Sequence, residues 1–133
     1  MGLLCLMIPP QNYVAEFGEN GKEDVPVRHL LTHTSGLLDQ IPENRNYRES
    51  KRPLGDFVTR ICELLLSFEP VTRISCQSSE IAVLSEICER VTWSGLAAYL
   101  EENLFDPLGL RDTAMKISAQ SERESDAKIA GEG

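Results

Sequence analysis

The segment from Val25 to Gln40, VPVRHLLTHTSGLLDQ, gathers several side chains that could do chemistry. It contains both histidines of the chain, His29 and His33, together with Thr34 and Ser35. Three interpretations are open at this point: a metal site, a serine nucleophile with its base, and a structural turn.

The metal interpretation fails for want of ligands. His29 and His33 are four residues apart, so both rings could share one face of a helix. A zinc site needs a third protein ligand, and the metalloprotease pattern needs a glutamate directly after the first histidine. Leu30 occupies that place, and the chain has no third histidine. We therefore expect no metal ion and no other cofactor.

A catalytic triad would need Ser35, His33 and Asp39 to converge. Triad members are brought together by the fold, and such close neighbours in sequence rarely point at one another. The chain also lacks the G-x-S-x-G turn that exposes a serine nucleophile. No residue of this segment is therefore expected to be catalytic.

The structural interpretation explains more of the segment. His33, Thr34 and Ser35 carry short polar groups that can bond the unpaired backbone groups at a helix end. Gly36 can supply the positive φ that a turn after a helix needs. His29, His33, Thr34, Ser35 and Gly36 are therefore predicted to form a buried bend.

Apolar spacing predicts a mainly α-helical, irregular unit with no clear strand. Asp24 is expected to cap the first helix, and Ser78 or Ser79 the third. The predicted polar connections are residues 9–24 and 39–52. The predicted helices lie near residues 26–33, 54–66, 79–91 and 95–104. Leu65, Ile81 and Leu104 are among the apolar residues whose spacing places them on the inner faces of these helices.

Composition narrows the range of partners. A chain of 133 residues fits one domain or part of one. The net charge of −8 argues against nucleic-acid binding. The apolar N-terminal run is too short for a membrane span and lacks the basic residues of a signal peptide, so neither is expected. The four cysteines form no C-x-x-C pair, which favours free thiols.

Four ordered blocks resemble the β-lactamase-related serine hydrolases, which include class C β-lactamases, DD-peptidases and esterases. The blocks are VRHLLTHTSGL, FEPVTRIS, EIAVLSEICERVT and LAAYLEENLFDPLGLRDT, within residues 13–116. The resemblance implies a helical subdomain of a two-domain α/β fold, with the sheet domain largely missing here. Residues 1–117 would form this partial domain, and residues 118–133 a charged, mobile tail.

The resemblance also implies where catalytic residues should be. The family nucleophile is the serine of an S-x-x-K motif upstream of HLLTHTSGL, but no serine precedes Ser35. Cys76 and Ser78 occupy the family's Tyr-x-Asn positions, and the third motif, Lys or His followed by Thr/Ser-Gly, is absent. The sequence Ser125-Asp126-Ala127-Lys128 fits S-x-x-K formally, but it follows the motif and lies in a hydrophilic tail. An inactive fragment of a serine hydrolase is therefore expected.

Four residues stand where the family pattern commonly has glycine: Val71, Glu80, Ser85 and Trp93. Where such a glycine had a positive φ, its replacement costs about 1 kcal/mol or more. Trp93, which follows a helix end, is the most suspect. The alternative function is a non-catalytic binding or scaffold module. Its partner would be a missing sheet domain, or a second copy of the chain, bound through exposed apolar surface.

Overall fold

A computed structural model describes residues 5–115, which fold into short helices joined by turns and bends. No β-strand occurs among these residues, so the mainly α prediction is confirmed there. The predicted tail, residues 118–133, lies outside the described range. The five α-helices are α1 Val27–Leu31, α2 Asn44–Glu49, α3 Leu54–Glu63, α4 Ser78–Thr92 and α5 Leu96–Leu100.

The chain divides into two compact units, Met1–Trp93 and Ser94–Gly133. The larger unit contains α1 to α4 and one apolar core. Two 3-10 turns, Pro10–Asn12 and Ala15–Gly18, contribute to it, so the predicted loop 9–24 is more ordered than expected. The buried core residues are Val14, Phe17, Val25, Val27, Leu30, Leu37, Ile41, Val58, Ile61, Cys62, Val83 and Ile87.

Helix α1 starts without the predicted side-chain cap from Asp24. Its first amides instead bond backbone: the N–H of Val27 donates to the carbonyl of Ile8 (3.1 Å), and the N–H of Arg28 to Leu6 (2.8 Å). Because the N-terminal segment satisfies these donors, no capping side chain is needed.

Helix α1 also ends at Leu31, earlier than the predicted His33. His33 adopts a left-handed conformation with φ 58°, and the N–H of Thr34 donates to the carbonyl of His29 (3.0 Å). This is the pattern of a Schellman helix end, in which the left-handed residue stops the helix. His33 therefore lies beyond the helix, so the two histidines do not share one helical face.

Helix α3 ends at Glu63 rather than near residue 66, and a buried lysine explains why. In a longer helix the carbonyl of Cys62 would accept the N–H of Leu66. Here it accepts hydrogen bonds from Lys22 Nζ (2.8 Å) and Asn20 Nδ2 (3.1 Å). Lys22 is fully buried. Because its Nζ bonds a carbonyl in the last turn of α3, its charge lies at the negative end of the helix dipole.

Helix α2 lies inside residues 39–52, which were predicted to be a polar connection. That prediction is wrong for Asn44–Glu49. None of its residues is buried, so apolar spacing gave no signal. It is supported by surface pairs such as Arg45 with Glu49 (2.9 Å). The Tyr47 ring also packs edge-on against Phe57, with centroids 5.2 Å apart.

Helix α4 agrees with the predicted third helix, but its cap does not come from Ser78 or Ser79. Asp39 supplies it from a distant part of the chain. Its Oδ1 accepts the N–H of Ser78 (2.9 Å), and its carbonyl accepts the N–H of Ser79 (3.1 Å). The loop after α1 is thereby tied to the start of α4.

In the smaller unit, the predicted helix 95–104 is split. Helix α5 is followed by a π-helical turn, Glu101–Phe105, in which the N–H of Asp106 donates to the carbonyl of Glu101 (2.9 Å). The wider turn rotates the register, so that Phe105 is buried while Leu104, predicted to face inward, is exposed.

Two other predicted core residues are also exposed. Leu65 lies after the end of α3, and Ile81 is on the outer side of α4. No helix within residues 5–115 is long and apolar enough to cross a bilayer.

Candidate functional site

The bend after α1 is built around a buried carboxylate from α4. Glu80 has no exposed surface. Its Oε2 accepts a hydrogen bond from His33 Nδ1 (2.5 Å), and its Oε1 accepts one from Ser35 Oγ (2.6 Å). Ser35 Oγ in turn accepts the N–H of Leu37 (3.2 Å). We call His33, Ser35 and Glu80 the bend cluster.

Because the Glu80 carboxylate is buried, its stability depends on the hydrogen bonds from His33 and Ser35. A buried carboxylate is tolerated when its oxygens have hydrogen-bond donors, and the bend supplies two. Charge-assisted hydrogen bonds of this kind are shorter and stronger than neutral ones. The cluster therefore fixes the path of residues 33–37 against the start of α4.

Backbone pairing holds the same bend from its other side. The N–H of Ser75 donates to the carbonyl of His33 (2.9 Å), that of Val71 to Thr34 (2.9 Å), and that of Ser67 to Gly36 (2.7 Å). Gly36 has φ 85°, the positive value predicted for it. A Cβ there would lie 2.2 Å from the carbonyl oxygen of Phe68, so only glycine fits.

The three residues considered for a triad are not assembled as one. His33 bonds Glu80 rather than Asp39, whose carboxylate caps α4. Ser35 donates its only hydroxyl hydrogen to Glu80 and is fully buried. A serine that is fully buried in this way has no access to a substrate.

His29 stands apart from the cluster. Its Nδ1 is buried and has no hydrogen-bond partner among the described residues. Burial, reinforced by the charge of Arg28, lowers the pKa of His29. Within residues 5–115, no three histidine, cysteine or acidic side chains are grouped closely enough to hold a metal ion.

Cys76 and Ser78, the two positions that the sequence resemblance aligns with the family's Tyr-x-Asn motif, lie at the start of α4. Cys76 is an exposed free thiol just before the helix, and Ser78 is its exposed first residue. Between them, Gln77 is buried and donates through Nε2 to Ser75 Oγ (3.0 Å). Neither a phenol nor a carboxamide is therefore present at these two positions.

Two of the other thiols, Cys62 and Cys88, have no reactive setting. Burial raises the pKa of the Cys62 thiol to about 12, and it raises that of Cys88 as well. A thiol that stays protonated is a poor nucleophile.

The glycine replacements fall into two groups. Val71 and Trp93 have positive φ values, 68° and 55°, which side chains with a Cβ rarely adopt. Glu80 and Ser85 lie within α4, where glycine has no conformational advantage. Trp93 follows the last residue of α4, the position at which glycine usually ends a helix, and its side chain is 95% exposed.

The role of Glu80 was not predicted from the sequence, in which it stands only as a replacement for glycine. A signal was present, because Glu80, Val83 and Ile87 follow one another at helical spacing and all three are buried. A carboxylate on the apolar face of a helix needs donors from elsewhere, and the bend before it offers them.

Comparison with known proteins gives a consistent result. The chain matches the Beta-lactamase family over residues 2–131. It is 30% identical to Esterase EstB of Burkholderia gladioli over 137 aligned positions, covering 92% of this chain and 34% of the esterase. The chain therefore spans about a third of the length of this relative.

Solved structures share the fold. A family VIII carboxylesterase superimposes with a TM-score of 0.76 at 21% identity, over 92% of this chain and 34% of the esterase. The penicillin binding protein of Bacillus halodurans superimposes with a TM-score of 0.70 at 23% identity, over 89% and 38%. With the family match over nearly the whole sequence, the chain belongs to the β-lactamase family.

Proposed function

We propose that these 133 residues form the helical portion of a β-lactamase-related serine hydrolase and are inactive in acyl transfer by themselves. The observation that carries the proposal is the state of Ser35, which is fully buried and bonded to Glu80. It is the first serine of the chain, and the S-x-x-K serine of the family would have to precede it.

The start of α4 supports the same proposal. In the family, the Tyr-x-Asn tyrosine helps to move the nucleophile's proton. Cys76 and Ser78 replace that phenol and the neighbouring carboxamide. The acyl-transfer chemistry of the family, on β-lactams, D-Ala-D-Ala peptides or esters, would require a serine–lysine pair that these residues do not provide.

Covalent labelling tests the proposal. The purified chain is incubated with a fluorescent penicillin and with a fluorophosphonate, and its intact mass is measured, with an active serine esterase of the family as the positive control. We expect no stoichiometric adduct on any serine. An adduct on a serine would overturn the proposal, and the variants Ser35→Ala and Ser125→Ala would show whether either of these two serines had reacted.

A second function, self-association through exposed apolar side chains, is favoured by the segment after α3. Leu65, Val71 and Ile74 are 73%, 62% and 78% exposed. Isolated apolar residues on a surface are common, but three such exposures within ten residues favour cover by another protein surface. Sedimentation equilibrium should then show a dimer that Ile74→Ser weakens, and a strictly monomeric chain at high concentration would exclude this function.

A further inference from the structure

A cavity of about 500 Å³ opens in the larger unit between α2, α3 and the start of α4. Ile41, Phe57, Ile61 and Ala82 contribute to an apolar wall. This volume is in the range of small-molecule sites, which combine apolar walls with a few polar groups.

Part of the cavity lining is basic. That basic part of the lining consists of Arg48, Lys51 and Arg52, three exposed cations in a chain whose net charge is −8. The Arg52 guanidinium already pairs with Asp56 (3.2 Å) and lies over the Tyr47 ring, 4.5 Å from its centroid. Arg48 and Lys51 take part in none of the ion pairs found within residues 5–115.

Lys51 is held at this edge in an unfavourable backbone conformation. It has φ 52° and follows the end of α2 in a Schellman arrangement, in which the N–H of Arg52 donates to the carbonyl of Tyr47 (3.0 Å). Glycine is the usual residue at this position because it has no Cβ. Lysine at this position is conformationally less favourable than glycine, but it places a cation at the cavity.

Asp39 is the one carboxylate among the lining residues. Its Oδ1 is occupied by the N–H of Ser78. Because Arg52 is paired with Asp56, Arg48 and Lys51 against Asp39 leave the lining with one unbalanced positive charge, which suits a ligand with a single negative charge. Arg48 can bind a carboxylate through two parallel hydrogen bonds, and Lys51 can add its charge.

We propose that this cavity binds a small amphipathic monocarboxylate. Its apolar body would contact Ile41, Phe57 and Ile61, and its carboxylate would bind Arg48 and Lys51. This binding is separate from acyl transfer, because it uses neither Cys76 nor any serine as a reacting group.

Binding of phenylbutyrate to the whole chain tests the proposal by calorimetry, with the neutral phenylbutanol as its matched ligand. We expect one phenylbutyrate per chain and roughly tenfold weaker binding of the alcohol, the loss expected when a charged contact is removed. Methyl signals of Ile41, Ile61 and Ala82 should shift on titration. Added salt should weaken the binding of the acid only.

Two variants and a control make the test specific. Lys51→Gly removes the cation while providing the residue that the left-handed backbone favours, so the fold should become more stable as affinity falls several-fold. Arg48→Gln should also lower the affinity for phenylbutyrate. Arg45→Gln removes a cation of α2 that pairs with Glu49 and does not line the cavity, and it should leave affinity unchanged.

Three results would overturn the proposal: no saturable binding of phenylbutyrate, equal binding of acid and alcohol, or equal effects of Lys51→Gly and Arg45→Gln. Thermal unfolding of each variant confirms that affinity is compared between folded proteins. The covalent labelling experiment is independent, so either proposal can fail while the other stands.

Discussion

At the scale of single residues, the bend cluster shows how a buried charge can organise a loop. Glu80 contributes a fully buried carboxylate, and His33 and Ser35 are its donors. The sequence predicted that residues 33–36 would form a polar bend. It did not identify Glu80 as their partner, because 45 residues separate Glu80 from Ser35 and only the fold brings them together.

The two histidines should respond differently to substitution. His33→Ala leaves the buried carboxylate without one donor and should lower the free energy of unfolding by about 1–3 kcal/mol. His29→Leu removes a buried nitrogen that has no partner among the described residues, and it should be neutral or stabilising. Urea unfolding of both variants, with and without a chelator, measures this.

The chelator should change neither result. Tight binding of one zinc ion per chain that His33→Ala abolished would contradict this interpretation of the segment.

The Cys62 thiol predicts a loss of stability at alkaline pH. Its pKa is 9.0 ordinarily and about 12 in the folded chain, because burial disfavours the thiolate. Between these values the unfolded chain has lost a proton that the folded chain keeps, so stability falls as pH rises, by up to ~1.4 kcal/mol per pH unit. Lys22 has the opposite effect. Burial lowers its pKa, so its contribution to the free energy of unfolding rises with pH, up to its ordinary pKa of 10.5.

Comparison with Cys62→Ala isolates the part of the pH dependence that needs the thiol, including its electrostatic coupling to Lys22. Urea midpoints measured from about pH 8 to pH 11 should fall less steeply for Cys62→Ala than for the original chain. Cys5→Ala, which changes an exposed thiol, is the matched control. Parallel curves for the original chain and Cys62→Ala would contradict the assignment.

At the scale of secondary-structure elements, helix existence was easier to predict than helix ends. The apolar spacing of α3 and α4 predicted both helices. The ends depend on contacts from elsewhere: Lys22 binds the last turn of α3, and Asp39 caps α4. Helix α2 has no buried face, so its sequence carried no periodic signal.

Glycine should be favourable at two of the four positions where the family pattern commonly has it. Val71→Gly and Trp93→Gly relieve left-handed conformations and should each stabilise the chain by about 1 kcal/mol, less a few tenths lost to the greater freedom of the unfolded chain. Ser85→Gly, inside α4, should destabilise it by about 0.5 kcal/mol.

Thermal unfolding of the three variants checks this pattern. Stabilisation by Ser85→Gly, or loss of stability in both of the other variants, would contradict the backbone explanation.

At the scale of the whole molecule, the two units differ in how much they bury. The core of the larger unit draws on α1, α3, α4 and the turns before them. In the smaller unit, Phe105 is the only buried residue between Ser94 and Met115. The resemblance in sequence was sufficient to predict the fold class, whereas this difference arises from packing that sequence spacing does not report.

The larger unit should be better protected from hydrogen exchange than the smaller one. Amides of α3 and α4 should exchange more slowly than those of residues 96–105, because opening the larger core exposes more apolar surface. Mass spectrometry of peptides from both regions measures this in one experiment. Equal protection would mean that the two units open together.

Gly36 and Gly21 show two kinds of constraint on sequence drift. Both have positive φ, 85° and 82°, but a Cβ at Gly36 would meet the Phe68 carbonyl, whereas one at Gly21 would meet nothing within 4 Å. Asparagine tolerates a left-handed backbone but cannot remove a steric overlap. In a saturation scan scored by soluble folded protein, position 21 should accept asparagine and position 36 should accept no replacement. Neutral substitutions can therefore accumulate at position 21 and not at position 36.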